Sequence, residues 1–262
     1  MLLENRTAVV HGAGGPVGRA VAGAFAREGA TVFLTGRTAK PLEPVAAEIA
    51  ETGGRAETAL VDALDEEAVD RHADDVAREA GSIDVVFNSV GYGDVHGQLL
   101  MDLPYEDFAR PVETALRSLF LTTRAAARHM IPKGSGVVLT ITATTAHAKL
   151  PQIGGTGVRF DAMESLCRQW AVELGRHGIR VGWIQTTGLP EAIRYPGPFP
   201  DYGTGREMSR DELLAWNEGQ TMLGRLTTLA DVGNAAAFLA SDRGSAFTAA
   251  GANLTCGLVP TR

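Results

Sequence analysis

The sequence predicts an α/β fold: one parallel, doubly wound sheet of about seven strands with helices on both faces. Two patterns predict it. Short, near-continuous apolar runs rich in β-branched residues alternate with alanine-rich stretches of helical period from the first residues onward, and strands buried on both faces look like such runs. Strict alternation then implies right-handed crossovers, which lay the strands parallel and set helices against both faces. The 262 residues, 45% of them hydrophobic, contain no Pro/Gly/Ser-rich linker and no shift of composition, so residues 1–262 read as a single domain.

The elements follow in order. Residues 7–10 (Thr-Ala-Val-Val) form the first strand, a glycine cluster follows, and 17–27 form the first helix. The second strand takes 31–35 and the second helix 40–52. Apolar runs at 56–61, 83–88, 137–142 and 179–184 repeat the strand signal, separated by helical stretches at 66–80, about 105–130 and about 157–176. A last helix and strand are expected in the tail. Only 189–209, with Pro190, Pro196, Pro198 and Pro200, breaks the rhythm. Loops of that length in a compact domain are usually lids or binding segments, so 189–220 is expected to act as a substrate loop.

Charge and composition exclude several classes. Lys and Arg total 24 against 31 acids, a net of −7, and an acidic chain does not gather phosphate backbones by bulk charge. No nucleic-acid partner is expected. The first residues hold no apolar leader core, and no later stretch reaches membrane-spanning length, so neither a membrane partner nor export from the cytoplasm is expected. The two cysteines, Cys167 and Cys256, match no metal or redox spacing. No cluster of His, Cys, Asp and Glu has metal-ligand spacing.

The turn after the first strand reads His11-Gly12-Ala13-Gly14-Gly15-Pro16-Val17-Gly18. Glycines let backbone pass close to a pyrophosphate, and a helix N-terminus aims its free N–H groups and dipole at that charge. Between the first strand and first helix of a parallel sheet, this is the context a Rossmann-type dinucleotide site requires. Gly12, Gly15, Pro16 and Val17 are the expected contacts. Pro16 is sterically acceptable at the first helical position but removes one N–H, so weakened binding is expected. The second strand ends Gly36-Arg37. Gly36 offers no acid for the ribose hydroxyls of NAD(H), whereas Arg37 offers a cation suited to a 2′-phosphate. NADP(H) is therefore the preferred cofactor and NAD(H) the possible one; an ordinary solvated arginine is the other reading of Arg37.

The spacing from Gly12 to Gly18 resembles the glycine signature of the short-chain dehydrogenases/reductases, with His11 where threonine is usual and Pro16 where the middle glycine is usual. The likeness spans nearly the whole chain. Val61-Asp62-Ala63 looks like the strand-three Asp that faces the adenine. Phe87-Asn88-Ser89-Val90-Gly91 resembles the Asn-Asn-Ala-Gly element. Thr187-Gly188 stands at the family's Pro-Gly turn with Leu189 beside it, and Gly224-Arg225-Leu226 through Gly257 resembles the final helix and strand. The resemblance thus adds Asp62, Ala63, Asn88, Gly91 and Leu189 to the expected cofactor contacts. It also implies a small-molecule substrate and a homo-oligomer, tetramer or dimer.

Family enzymes use Asn, Ser, Tyr and Lys: the Tyr phenol moves the proton on the substrate oxygen, and the Lys cation tunes it. Reading back from Glu173-Leu174, the Tyr-x-x-x-Lys pair falls on Thr156 and Phe160. The Ser falls on Ala143 by an independent count, and the Asn, placed by Phe120-Leu121-Thr122-Thr123, falls on Ala115. A threonine hydroxyl is far too weak an acid near neutrality, whereas a phenol of pKa about 10 can be tuned down by a cation. Misalignment does not restore the pair: the lysines are Lys40, Lys133 and Lys149, and no tyrosine lies between Tyr105 and Tyr195.

Possible stand-ins are His147, because histidine titrates near neutrality, and Thr145, Thr156, Tyr92 and Tyr195. Arg159 and Asp161 flank Phe160 and are expected to point along other helix faces. The working expectation is an atypical NADP(H)-dependent oxidoreductase acting on a carbonyl or alcohol. Two others stay open: a non-catalytic NADP(H)-binding sensor or partner subunit, and a non-redox lyase, isomerase or cyclase on the same scaffold.

Overall fold

The computed structural model describes residues 1–144, 150–194 and 197–260. Its strands are β1 (Thr7–His11), β2 (Thr31–Gly36), β3 (Arg55–Leu60), β4 (Val85–Asn88), β5 (Gly136–Ala143), β6 (Ile179–Thr186) and β7 (Ala250–Leu254). They form one sheet in the order β3-β2-β1-β4-β5-β6-β7, every pair parallel. The chain winds outward from β1 through β3, then returns to the other side of β1 with β4. Between β1 and β4 the winding reverses, and a crevice opens beyond the strands' C-terminal ends.

The helices are α1 (Pro16–Arg27), α2 (Glu43–Glu51), α3 (Glu66–Ala80), α4 (Tyr105–Lys133), α5 (Thr156–Leu174), α6 (Arg210–Glu218) and α7 (Leu229–Ala240). The register divides the apolar strand residues between two layers. Val10, Leu34, Phe87 and Leu139 stand side by side across four strands and meet α1, α2 and α7. Their neighbours Val9, Phe33, Val86 and Val138 face the other way, onto α3, α4 and α5. Each of the larger side chains so buried contributes about 1.5–3 kcal/mol. This two-sided demand is why the strands read as unbroken apolar runs rather than alternating ones. The exception is β3, an edge strand whose residues are mostly exposed.

Element ends follow local chemistry. Asp65 caps α3 by accepting from the Ala68 N–H at 3.1 Å, and Gly81 ends it in the left-handed region at φ 78°. Helix α4 runs past the expected end near residue 130 to Lys133, where Gly134 takes φ 71°. Helix α2 starts at Glu43 rather than residue 40, since Pro41 and Pro44 lack the N–H and disfavour helical geometry in the residue before each. Both α6 and α7 open on capping boxes, Ser209/Glu212 and Thr228/Asp231. Between β6 and α6, Tyr202, Met208 and Leu213 form a small apolar cluster with Leu150 and Ile153. The described part of 189–220 is therefore packed onto Leu150 and Ile153, and it includes the helix α6.

Candidate functional site

The turn from β1 into α1 is built around Gly12 and Gly18. Gly12 sits at φ 76°, and a Cβ there would lie 2.5 Å from the Ser89 carbonyl oxygen; at Gly18 it would lie 2.4 Å from the Gly12 carbonyl oxygen. Both positions accept glycine alone because backbone passes there at contact distance. The Gly12 and Ala13 N–H groups each donate to the Thr35 carbonyl at 3.1 Å, tying the turn to β2. Gly15 precedes α1 in extended geometry, and no side chain caps the helix. The first-turn N–H groups at Val17 and Gly18 thus have no partner within the helix, and the positive end of its dipole opens on the crevice. Pro16 is the first helical residue. Across the crevice, a Cβ on Gly91 would meet nothing within 4 Å.

Arg37 and Asp62 lie exposed just beyond the ends of β2 and β3, and Ala63 and Leu189 are buried. The Asp62 carboxylate accepts from the Leu64 N–H at 3.0 Å. Asn88 is fully buried; its Nδ2 donates to Thr122 Oγ1 at 3.1 Å, and its carbonyl accepts from Thr140 Oγ1 at 2.9 Å. Its side chain thereby ties the β4 turn to α4, and its main-chain carbonyl ties the turn to β5. Behind the turn, His11 is buried with Nδ1 2.9 Å from Thr35 Oγ1, and its ring meets that of His72 edge-on. Burial, with His72 adding to it, lowers the His11 pKa to about 3.

Of the four residues that the sequence resemblance sets at the expected catalytic positions, Ala115 is buried on α4 and Ala143 ends β5 half-buried. Thr156 opens α5, and Phe160 follows one turn later, both buried. Two groups from outside α5, Asp94 and His96, meet the Thr156 hydroxyl, and Tyr202 and Arg159 in turn hold those two. Thr156 Oγ1 donates to Asp94 Oδ1 at 3.0 Å, His96 Nε2 lies 2.9 Å from the same oxygen, and His96 Nδ1 lies 3.2 Å from the Tyr202 hydroxyl. An ionised carboxylate only accepts, so the single threonine hydrogen is committed to Asp94. His96 must then carry its hydrogen on Nε2 and accept from Tyr202 on Nδ1. Burial lowers the His96 pKa, opposed by Asp94 and assisted by Arg159, which keeps the ring neutral at pH 7.

Arg159 departs from expectation. Rather than pointing away, its guanidinium is buried beside Thr156, with Nη2 donating to Asp94 Oδ2 at 3.0 Å. Its side chain is 3% exposed against 28% for Asp94. The reason is helical spacing: three residues on from Thr156, it shares that residue's face. The guanidinium carbon is 4.1 Å from the Tyr92 ring centroid and 3.9 Å from that of Phe160, a sandwich that offsets part of its desolvation. Phe160 thus carries no charge of its own but supports one. Asp161 is exposed, as its position implies. The Tyr92 phenol is buried and its pKa is pushed up to about 12, chiefly by desolvation, the opposite of what a proton donor near neutrality needs. Thr145, His147 and Tyr195 lie outside the described residues. Among the described residues no cluster suits a metal ion and no helix is long and apolar enough to cross a membrane.

Sequence reasoning missed Asp94, His96 and Tyr202. They sit in stretches without periodicity, and the one local signal was the pair of glycines bracketing Asp94-Val95-His96: Gly93 at φ 71° and Gly97 at φ 96°. A further buried acid, Glu164 on α5, accepts from Thr142 Oγ1 at 3.0 Å and Gln185 Nε2 at 3.4 Å, bridging β5 and β6 behind the site.

The family model described as enoyl-(acyl carrier protein) reductase matches residues 12–258. The chain is 31% identical over 246 residues to the uncharacterized oxidoreductase YxbG of Bacillus subtilis, covering 94% of this chain and 88% of that protein. It is 31% identical over 250 residues to the gluconate 5-dehydrogenase of Gluconobacter oxydans, covering 94% and 91%. It superposes with TM-score 0.86 and 28% identity on a 7α-hydroxysteroid dehydrogenase complexed with NADH and 7-oxo glycochenodeoxycholic acid, covering 97% of this chain and 94% of that one.

Proposed function

Given that this chain belongs to the short-chain dehydrogenase/reductase family, we propose that it is an NADP(H)-dependent oxidoreductase that interconverts a hydroxyl and a carbonyl on a small molecule without a lysine-tuned phenol. The observation that carries the cofactor part is the uncapped first turn of α1, facing a crevice in which Gly91 leaves open space. These residues fit a dinucleotide. Gly12, Gly15, Pro16 and Val17 would hold the pyrophosphate, and Arg37 the 2′-phosphate. Asp62 and Ala63 would border the adenine, with Asn88, Gly91 and Leu189 as the remaining contacts. NAD(H) fits the same cradle with fewer contacts, because no acid stands at Gly36. When bound, the nicotinamide supplies or accepts a hydride.

The chain's own residues supply the rest. With Ala115, Ala143, Thr156 and Phe160 at the family's catalytic positions, the Thr156 hydroxyl is the one group there that can hydrogen-bond a substrate oxygen. The cation comes from Arg159, one residue before the usual place and balanced by Asp94. The span 189–220 acts as a lid: its Tyr202 reaches His96, and its apolar cluster seats it on Leu150 and Ile153 beside the site. Assembly into a homo-oligomer would use the outer faces of α4 and α5, where Phe120 and Val172 are exposed.

Calorimetry with NADPH and NADH tests the cofactor reading. NADPH binds more tightly, and Arg37→Ala weakens NADPH about 10- to 100-fold while leaving NADH unchanged, the scale of a lost charge-assisted contact. Equal binding of both nucleotides by wild type and variant would remove the NADP(H) assignment, and no binding of either would remove the oxidoreductase.

A further inference from the structure

Building on the oxidoreductase reading, we propose that Thr156 is the catalytic residue at the substrate oxygen and works as a proton shuttle, exchanging its proton with Asp94, while His96, Tyr202 and Arg159 set the direction of transfer. Alone, a threonine hydroxyl cannot serve as acid or base near neutrality, because its ionised form is too costly. Exchanging one proton for another avoids that form. As the substrate O–H proton bonds to Thr156 Oγ1, the threonine's own proton passes along its existing 3.0 Å hydrogen bond to Asp94 Oδ1.

The balance closes. In alcohol oxidation the substrate C–H bond would break with its electron pair, and the oxidised nicotinamide of the proposed function would be the acceptor of that hydride. The O–H bond breaks, a new one forms on Thr156, and the Thr156 proton moves to Asp94. The products are a carbonyl, an intact threonine and a carboxylic acid that returns its proton to water through the 28% of the Asp94 side chain left exposed. Carbonyl reduction runs the same steps backward.

Three features point to Asp94 rather than His96 as the far end of the relay. The threonine hydrogen faces Asp94, and the Nε2 hydrogen of His96 faces the threonine, so that nitrogen has no free lone pair. Tyr202 occupies the other ring nitrogen, which fixes the tautomer. Arg159 holds Asp94 Oδ2, leaving Oδ1 turned toward Thr156, and is itself clamped between two rings. Nor does helix α5 use this hydroxyl for its own end: the cap position is Gly155, without a side-chain cap. His96, Tyr202 and Arg159 are positioning residues here.

The test has two arms. On the nucleotide-free protein, histidine-selective ¹⁵N NMR shows His96 as the Nε2–H tautomer; the Nδ1–H tautomer overturns the relay's direction. With NADP⁺ and a panel of cyclic secondary alcohols, polyols and hydroxysteroids, Thr156→Val and Asp94→Asn each lose about 10²–10⁴ in kcat, the usual worth of positioned proton transfer. Thr156→Ser restores most of that loss, nucleotide affinity by calorimetry stays within about twofold in all three variants, and the wild-type proton inventory in mixed H₂O/D₂O bows as two moving protons require. Wild-type turnover that survives Thr156→Val or Asp94→Asn, or a linear inventory, overturns the relay alone. Nucleotide binding by wild type without turnover of any alcohol overturns the oxidoreductase reading and the relay with it.

Discussion

Acidification should unfold this protein earlier than its carboxylates alone would, because His11 is buried as a neutral ring. Burial and the neighbouring His72 hold its pKa at about 3 against an ordinary value of 6.5. The folded state thus refuses a proton that the unfolded chain accepts. The resulting stability is complete above the unfolded value near 6.5 and drains away as the pH falls toward the folded value of about 3. The linkage relation gives a loss of about 2 kcal/mol between pH 7 and pH 5, and about 3 kcal/mol by pH 4. His72, also lowered by burial, adds to the loss in the same direction. For a chain of this size about 2 kcal/mol corresponds to a fall of about 4–8 °C in Tm. Thermal and urea melts at pH 7 and pH 5 measure it, with His11→Thr as the comparison, since a hydroxyl keeps a polar partner for Thr35 without a titrating ring. Wild type should lose the stated amount and the variant much less. Equal losses in the two proteins would show that His11 does not couple folding to pH.

Two further predictions concern the frame around the site. Gly12→Ala combines φ 76° with a Cβ 2.5 Å from the Ser89 carbonyl oxygen and should cost about 2–4 kcal/mol by urea melts and abolish nucleotide binding by calorimetry; unchanged stability would mean that the turn is free to move. Asp84 is buried and holds Lys133, the Thr7 N–H and Ser82 at the foot of β1 and β4, so Asp84→Ala should cost about 2–4 kcal/mol without altering the relative affinities for NADPH and NADH.

The sheet was legible because its evidence is local. The apolar run Val85-Val86-Phe87 is buried on both faces, so burial is written into every residue. Gly12 and Gly18 announced a turn that has no room for a side chain. The group around Thr156 was not legible in this way. Arg159 is expected from the sequence on another helix face than Phe160, because a charged side chain beside an aromatic one carries no mark of direction. Its inward course depends on Asp94, 65 residues earlier, and on two rings that meet only when α5 packs beside the β4 turn. Tyr92 looked like a proton donor from its position after Gly91, and only its burial shows that its phenol is held far from neutrality.

By itself, then, the chain determined the succession of strands and helices, the glycine turn at the head of α1, and the residues that stand at 115, 143, 156 and 160. Periodicity and turn chemistry act over a few residues, and a string of letters preserves them. The tertiary structure alone decided that Asp94 and His96 meet on the Thr156 hydroxyl, with Arg159 and Tyr202 holding them in place. Those partners come from three separate stretches of chain, and the hydrogen bonds between them exist only once helix α5, the β4 turn and the 189–220 span have closed on one another.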